Sequence, residues 1–256
     1  MKIDAHFHVF LASAINQAQS RYVLEYDASI DQWEKLANQA GIDGGVIVQP
    51  SFLGVDNSFL LSALQLSPNK LKGVAVLPAN TPRSALAELK EQGVMGVRLN
   101  LFKDENPSAN IRAHWKLIEF INESDMHLDI HHDDGLLNRL LLDIPSGTEI
   151  VVDHFAKPPI AAKEMEPWAS SMAEIAAFPN VYAKLSGLNT ASDLANWTVA
   201  DWQPYVDFMV KTYGANRVMM GGDWPVIVLG NTYVEVWKAQ VEVISGYSQE
   251  DQDWIT

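Results

Sequence analysis

Eight short apolar runs, rich in β-branched residues and bounded by Gly, Pro or Asn, recur along the chain and restrict its fold. Near-continuous apolar runs of this length are typical of parallel strands that are buried on both faces. The predicted strands are residues 3–9, 44–50, 72–78, 94–101, 126–132, 149–155, 181–187 and 217–223. Amphipathic stretches lie between them; in DQWEKLANQAG, for example, Trp33, Leu36 and Ala37 share one face, and Gly41 follows as a C-cap.

Strands that alternate with helices predict an α/β fold, and eight of them predict a (β/α)8 TIM barrel. An open doubly wound sheet is the alternative, but the Gly-rich turn that usually follows its first strand is missing from this sequence. A chain of 256 residues without a repeat or a linker is expected to form a single domain over residues 1–256. The long connection from Phe10 to Ile30 is expected to be a functional lid or a disordered segment.

Charge and composition exclude several classes of function. Lys and Arg number 18 against 32 Asp and Glu, and the resulting net charge of −14 would repel nucleic acid. The absence of Cys excludes disulfides, thiolate metal sites and a cysteine nucleophile. The first residues lack the pattern of a secretory signal, and no apolar run has the length of a membrane span. We therefore expect a cytoplasmic protein with a small-molecule partner, and neither a nucleic acid nor a membrane as partner.

Ionisable side chains gather where the predicted strands end. These ends face the active-site mouth of a barrel, and alternate residues of a strand share a face, so Asp4, His6 and His8 are predicted to point together. The polar residues near the strand ends are His6, His8, Gln49, Ser51, Arg98, Asn100, His131, His132, Asp153, His154, Lys157, Lys184, Ser186 and Asp223. Burying so many ionisable groups costs free energy unless they are paired, so their convergence predicts a functional site. Asp153 and Lys184 fit equally as inward groups or as ion-pair partners outside the barrel.

Four motifs follow one another on predicted strands 1, 4, 6 and 8: DAHFHVF, GVRLN, VVDHFAKP and GGDWP. In this order they resemble the amidohydrolase superfamily, and they are most similar to its 2-pyrone-4,6-dicarboxylate lactonase branch. The segments SRY at 20–22, GVIVQPS at 45–51 and VDN at 55–57 also resemble that branch. The resemblance extends from residue 3 to about residue 225. It implies a barrel enzyme that opens a lactone ring by hydrolysis.

The resemblance implies a role for each residue at the predicted mouth. Asp223 would activate the attacking water as a general base. His6, His8 and His154 would donate hydrogen bonds to the lactone carbonyl and stabilise the tetrahedral oxyanion. The residues that would bind the substrate are Arg98, through its planar fork, together with Tyr22, Ser51, His131 and Lys157.

Two basic positions that this branch uses for a dicarboxylate are not matched. Asp104, next to Lys103, stands where a basic residue would follow the strand-4 arginine, and GLNTASD replaces an arginine-bearing loop after strand 7. The eighth strand ends in DWPV instead of DWPH. Each charge-assisted hydrogen bond contributes about 1.5–3 kcal/mol. A lactone with one carboxylate, or a sugar lactone, is therefore a candidate substrate alongside 2-pyrone-4,6-dicarboxylate.

Metal content separates the alternative functions. Binuclear amidohydrolases carry a carboxylated lysine on the strand where this chain has Arg98, so a binuclear site is not expected. We favour catalysis without a cofactor; if a single zinc ion is bound, the expected ligands are His6, His8, His131 and Asp223. A metal-dependent decarboxylase of the same superfamily is the alternative enzyme. A non-catalytic barrel that binds a small acid is the third hypothesis.

Overall fold

The computed structural model describes residues 1–15, 20, 25–102, 104–132 and 137–256. One sheet of eight parallel strands follows the order of the chain. The strands are β1 (Ile3–Phe7), β2 (Gly44–Val48), β3 (Leu71–Ala75), β4 (Val94–Asn100), β5 (His127–His131), β6 (Ile150–Val152), β7 (Val181–Leu185) and β8 (Val218–Met220). Each of the predicted strands is present, and the predicted (β/α)8 barrel is confirmed.

Helices follow the strands and cover the outside of the sheet. They are α1 (Ile30–Ala40), α2 (Ser58–Leu66), α3 (Arg83–Glu91), α4 (Pro107–Ala113), α5 (Trp115–Glu123), α6 (Leu137–Leu140), α7 (Trp168–Ala176), α8 (Val199–Tyr213), α9 (Tyr233–Ile244) and α10 (Gln249–Ile255). The Ser29 side chain and Gln32 form a capping box at the start of α1, and Gly41 is the predicted C-cap of this helix, in the left-handed conformation. None of the helices in the described ranges is long and apolar enough to cross a membrane.

The core lies between the sheet and the helices. Phe7 of β1 stacks on Trp33 of α1 with ring centroids 3.9 Å apart. On β2, a Cβ at Gly45 would come within 2.8 Å of both rings, so this close packing of helix on sheet requires glycine there. Such contacts fix α1 against the first two strands and thereby fix the direction of β1.

The barrel closes between β1 and the segment that follows β8. Phe7 forms a parallel bridge with Trp224, and the His8 amide donates to the Trp224 carbonyl at 2.7 Å. The Asp223 amide donates to the His6 carbonyl at 2.6 Å. Closure therefore joins the first strand to the segment after the last strand. It places Asp223 beside His6 and His8.

A bulge in β1 re-aims its side chains. The pairing register with β2 shifts between Asp4 and Phe7, which inserts one extra residue into β1. Asp4 faces the helices, where the Tyr233 hydroxyl of α9 donates to its carboxylate at 2.7 Å. His6 and His8 face the barrel interior. The prediction that Asp4, His6 and His8 point together is therefore wrong for Asp4, because the extra residue interrupts the strict alternation of a strand.

Candidate active site

A pocket of about 500 Å³ opens at the carboxyl ends of the strands. It is lined by His8, Ser20, Pro50, Ser51, Phe52, Arg98, His131, His154, Lys157, Asp223 and Val226. His6 lies directly below it and is fully buried. The structure thus brings together the predicted site residues, except that Tyr22 lies outside the described residues.

Asp223 is at the centre of the pocket base. Its Oδ1 lies 3.4 Å from Nε2 of His8, 3.9 Å from Nε2 of His6 and 4.0 Å from Nε2 of His154. Burial raises the pKa of Asp223, but His154, His8 and Lys157 outweigh burial, so the pKa lies below its ordinary value. The carboxyl group is therefore ionised at neutral pH and available as a proton acceptor.

The imidazole of His8 is oriented by the backbone of β2. Its Nδ1 lies 2.7 Å from the Val48 carbonyl oxygen, and because a carbonyl only accepts, Nδ1 donates its hydrogen. Nε2 is consequently the nitrogen that faces Asp223.

His154 starts a left-handed turn after β6. The φ angles of His154, Phe155, Ala156 and Lys157 are 54°, 51°, 53° and 55°. This conformation costs roughly 1–2 kcal/mol for each residue that has a Cβ. The turn is held by Trp168, whose Nε1 donates to the Phe155 carbonyl at 2.7 Å. Strained backbone of this kind is typical of functional sites, and here it brings both His154 and Lys157 to the pocket.

The His154 ring packs against β7 and the loop after it. Its Nδ1 lies 2.7 Å from the Ser186 hydroxyl, which fixes the ring. Burial holds the pKa of His154 well below 6.5, so the ring is neutral at physiological pH. Gly187, with a φ of 62°, lies against it: a Cβ there would be 3.0 Å from Oδ2 of Asp223 and 3.1 Å from Nδ1 of His154. Glycine is thus required for the approach of the loop to both groups.

Arg98 of β4 lines the pocket but is engaged by the protein itself. Its Nε and Nη2 lie 2.8 Å and 2.7 Å from Oδ2 of Asp153, and its Nη1 donates to the Gln49 carbonyl at 3.4 Å. The guanidinium of Arg98, which was predicted to bind the substrate, therefore binds Asp153 in this structure. Arg98 thus forms part of the pocket wall while its guanidinium is paired with buried Asp153.

A layer of buried charges lies below the pocket, and in it sequence reasoning assigned no role to Lys184, Asp129 or Asp153. Lys184 of β7 places its Nζ 2.6 Å from Oδ2 of Asp129 and 3.2 Å from Oδ1 of Asp153. Together with Arg98 these side chains form a buried network of two cationic and two carboxyl groups, and their pairing offsets part of the cost of burial. The sequence did contain a signal for this layer. Asp129 stands two positions before His131, and because alternate residues of a strand share a face, this spacing indicates a second polar layer below the mouth.

The ionisation states in this layer follow from the pairing. Burial raises the pKa of Asp153, yet Lys184 and Arg98 outweigh burial and hold the pKa well below its ordinary value. Burial lowers the pKa of Lys184, but Asp129 and Asp153 outweigh burial and raise the pKa. Lys184 is therefore an ammonium and Asp153 a carboxylate in the folded protein.

The remaining predicted binding residues line the walls of the pocket. The ring of His131 stacks on Phe102 with centroids 5.5 Å apart and meets His154 edge-on at 5.4 Å. Nζ of Lys157 donates to the Thr190 hydroxyl at 3.0 Å. Ser51 begins the short turn after β2 and faces the same pocket. These walls offer the Lys157 ammonium and hydroxyl groups to a small molecule in the pocket.

Within the described ranges, one group of side chains is close enough to bind a metal ion: His6, His154 and Asp223, whose ligand atoms lie within 4.8 Å of one another. This group differs from the predicted zinc set, since His131 instead stacks on Phe102. A histidine that binds a metal donates its other ring N–H to an acceptor. Nδ1 of His6 lies 3.2 Å from Oδ1 of Asp153 and 3.4 Å from Nζ of Lys184, but only the lysine is in hydrogen-bonding geometry, and an ammonium only donates. The residues do not fit a metal site that uses His6.

Curated relatives of this chain are named as lactone hydrolases. A 4-sulfomuconolactone hydrolase of Rhizobium radiobacter is 27% identical over 227 residues, which cover 87% of this chain and 75% of the relative. An L-fucono-1,5-lactonase of Burkholderia multivorans is 25% identical over 263 residues, which cover 92% of this chain and 86% of the relative.

Solved structures share the fold over nearly the whole chain. A probable 2-pyrone-4,6-dicarboxylic acid hydrolase of Acinetobacter baumannii with bound citric acid has a TM-score of 0.87 and 26% identity, covering 99% of this chain and 95% of that one. A 2,6-dihydroxybenzoate decarboxylase from Rhizobium, with a TM-score of 0.64, 14% identity and coverage of 99% and 94%, is similar in fold alone. The family model described as amidohydrolase matches residues 3–256, and the chain belongs to this family.

Proposed function

We propose that this amidohydrolase opens the ring of a small carboxylated lactone by hydrolysing its ester bond. One observation carries the proposal: Oδ1 of Asp223 lies 3.4–4.0 Å from three imidazole nitrogens at the base of the pocket. This arrangement places a base for water next to groups that can polarise a carbonyl. The two curated relatives act, by their names, on different lactones, which supports ester hydrolysis and leaves the identity of the lactone open.

In the proposed reaction, Asp223 takes a proton from a water molecule whose oxygen attacks the lactone carbonyl carbon. The carbonyl oxygen becomes an oxyanion, which accepts hydrogen bonds from Nε2 of His6 and of His154. Nδ1 of His8 donates to the Val48 carbonyl, which leaves Nε2 as the acceptor nitrogen of this imidazole, so we propose that it accepts a hydrogen bond from the attacking water. Collapse of this intermediate breaks the bond between the carbonyl carbon and the ring oxygen. The ring oxygen leaves with the proton held by Asp223, and the product is an open-chain acid with a new hydroxyl group.

His6 supplies the donor that the structure supports most directly. Its ring is fully buried, and its Nε2 has no hydrogen-bond partner among the described residues. A buried polar nitrogen without a partner is costly, and in an enzyme it marks a position where a reacting group binds. Burial holds the pKa of His6 well below 6.5, so the ring is neutral at physiological pH and has one hydrogen to donate.

The walls of the pocket would bind the rest of the substrate. Lys157, Ser51 and His131 lie around the opening, and Arg98 forms the wall that also contacts Asp153. We propose that they bind the substrate carboxylate, with Tyr22 as a further candidate. A lactone with one carboxylate or a sugar lactone fits these groups, in addition to 2-pyrone-4,6-dicarboxylate. A cytoplasmic location remains a prediction from the sequence.

A panel of lactones tests the proposal. The protein, purified without added metal, would be assayed by proton release with 2-pyrone-4,6-dicarboxylate, 4-sulfomuconolactone, L-fucono-1,5-lactone and an uncharged δ-lactone. We expect turnover of at least one of the first three lactones, unchanged after treatment with a chelator. No hydrolysis across the panel would contradict the proposal. Release of CO₂ from a hydroxybenzoate, abolished by the chelator, would instead support the decarboxylase, for which only the fold provides an argument.

A further inference from the structure

His6 acts as a hydrogen-bond donor only if its hydrogen is on Nε2, the nitrogen that faces Asp223. A neutral imidazole has one hydrogen, and the partner of the other ring nitrogen decides where that hydrogen resides. The surroundings of Nδ1 of His6 therefore determine what this residue can do in the pocket.

Two groups approach Nδ1 of His6 from inside the barrel. Nζ of Lys184 lies 3.4 Å away in hydrogen-bonding geometry. Oδ1 of Asp153 is nearer, at 3.2 Å, but its direction does not suit a hydrogen on Nδ1, and this oxygen pairs with Nζ of Lys184 at 3.2 Å. The lysine is thus the partner whose direction fits, and a lysine ammonium has only hydrogens to offer.

The position of Lys184 is fixed independently of His6. Its side chain is 2% exposed, and its strongest contact is a hydrogen bond of 2.6 Å to Oδ2 of Asp129. Asp153 pairs with the same ammonium at 3.2 Å, and Asp153 is itself held by Arg98. The ammonium is therefore held against the imidazole by Asp129 of β5 and by Asp153, which follows β6, and it cannot turn away without losing them.

We infer that Lys184 is a positioning residue: its ammonium donates to Nδ1 of His6 and so fixes the tautomer that carries hydrogen on Nε2, directed toward Asp223 and the reacting carbonyl. Its catalytic meaning rests on the proposed function, whereas the tautomer itself is a property of the free protein. In this tautomer Nε2 has no lone pair for a metal ion, so Lys184 also directs the site toward catalysis without a metal.

Nitrogen NMR of the histidines tests the inference without any substrate. Uniformly ¹⁵N-labelled protein at pH 7.5 would give two-bond ¹H–¹⁵N correlations, and His6 would be identified by the signals that disappear in His6→Gln. We expect the pattern of the Nε2–H tautomer for His6. The pattern of the Nδ1–H tautomer, or of an imidazolium, would overturn the inference. Because the spectrum needs no turnover, it stands even if the lactone panel fails.

A charge-balanced variant tests the effect on catalysis. Lys184→Ala combined with Asp129→Asn removes one buried cation together with its closest anion, so the barrel interior stays neutral. Loss of one oxyanion donor lowers kcat by about 10²–10³-fold, and we expect this fall with a much smaller change in KM and a change of the His6 tautomer. Asp129→Asn alone, which keeps Lys184, is the control. Equal kcat in the double variant and the control would overturn the inference.

Small amines provide a rescue experiment, because Lys184 also lines a cavity of about 520 Å³ on the opposite side of the charged layer from the pocket. Tyr182, Met219 and the exposed Glu149 line the same cavity, so a small cation can enter there. In the Lys184→Ala variant, methylammonium should restore kcat at least tenfold, whereas tetramethylammonium, which has the same charge but no N–H, should not. Equal effects of the two cations would assign Lys184 to charge balance alone and overturn the inference.

Discussion

Asp153→Asn tests whether the charges inside the barrel hold it together. Oδ2 of Asp153 accepts from Nε and Nη2 of Arg98 at 2.8 Å and 2.7 Å, and its Oδ1 pairs with Nζ of Lys184 at 3.2 Å. The substitution keeps the shape of the side chain but leaves two buried cations with Asp129 as their remaining anion in this layer. Removing one partner of a buried ion pair costs about 3–5 kcal/mol.

This loss is large compared with a typical stability of about 5–15 kcal/mol for a folded domain. For a chain of this size, 1 kcal/mol lowers Tm by about 2–4 °C, so Asp153→Asn should lower Tm by roughly 6–20 °C. Urea unfolding at pH 7 and calorimetry would measure the change. The control is Glu123→Gln, which breaks the 2.9 Å pair with Arg83 between side chains that are 50% and 61% exposed. Such a surface pair contributes about 0–1 kcal/mol.

The pH dependence gives a second check on the same substitution. Burial raises the pKa of Asp153, but Lys184 and Arg98 outweigh burial, so its folded pKa lies well below the ordinary 3.8. The stability it contributes is therefore complete above pH 3.8 and is lost as the pH falls through the lower, folded value. The wild type and Asp153→Asn should differ by a constant amount from about pH 5 to 8. A cost at pH 7 no larger than that of Glu123→Gln would refute the reasoning.

Three further predictions concern the pocket. Asp223→Asn removes the base and should lower kcat by about 10²–10⁴-fold while Tm stays nearly unchanged; a fall of less than tenfold would argue against general-base catalysis. Gly187→Ala places a Cβ 3.0 Å from Oδ2 of Asp223 at a φ of 62°. We expect a lower kcat and a free energy of unfolding, measured in urea, that is lower by about 1–2 kcal/mol. Gly246→Ala, where the Cβ meets open space, is the control and should change neither quantity. Because burial holds the pKa of His154 well below 6.5, kcat/KM should stay constant from pH 8 down to pH 6.5 and below; an inflection near 6.5 that disappears in His154→Gln would contradict this.

The pocket itself was predictable from the sequence because it depends on a rule of topology. Parallel strands of a barrel end at one mouth, so the polar residues after each apolar run had to meet. The residues that meet there are far apart in the chain. His8 follows β1 and His154 follows β6, yet both lie beside Oδ1 of Asp223, which follows β8. Their convergence needed only the order of the strands and the direction in which each one runs.

The orientation of Asp4 was not predictable in the same way, because it depends on contacts distant in sequence. The amide of Gly222 donates to its Oδ1 at 2.6 Å, and the Tyr233 hydroxyl donates to its Oδ2 at 2.7 Å. These donors come from the far end of the chain and belong to the closure of the barrel. A strand pattern predicts alternation, whereas the bulge that turns Asp4 outward is stabilised by partners that no local pattern contains.

The charged layer escaped prediction for a different reason, and that reason bears on its function. Strands buried on both faces do not reveal which side of the sheet a charged residue faces, so Lys184 could have paired outside the barrel. Replacing buried ion pairs by apolar residues is often neutral or stabilising, so stability alone gives no account of charges at this depth. Apolar side chains in place of Lys184 and Asp129 would leave Nδ1 of His6 without its donor. The layer is therefore best explained by the pocket above it, where the direction of one imidazole hydrogen decides whether an oxyanion is stabilised.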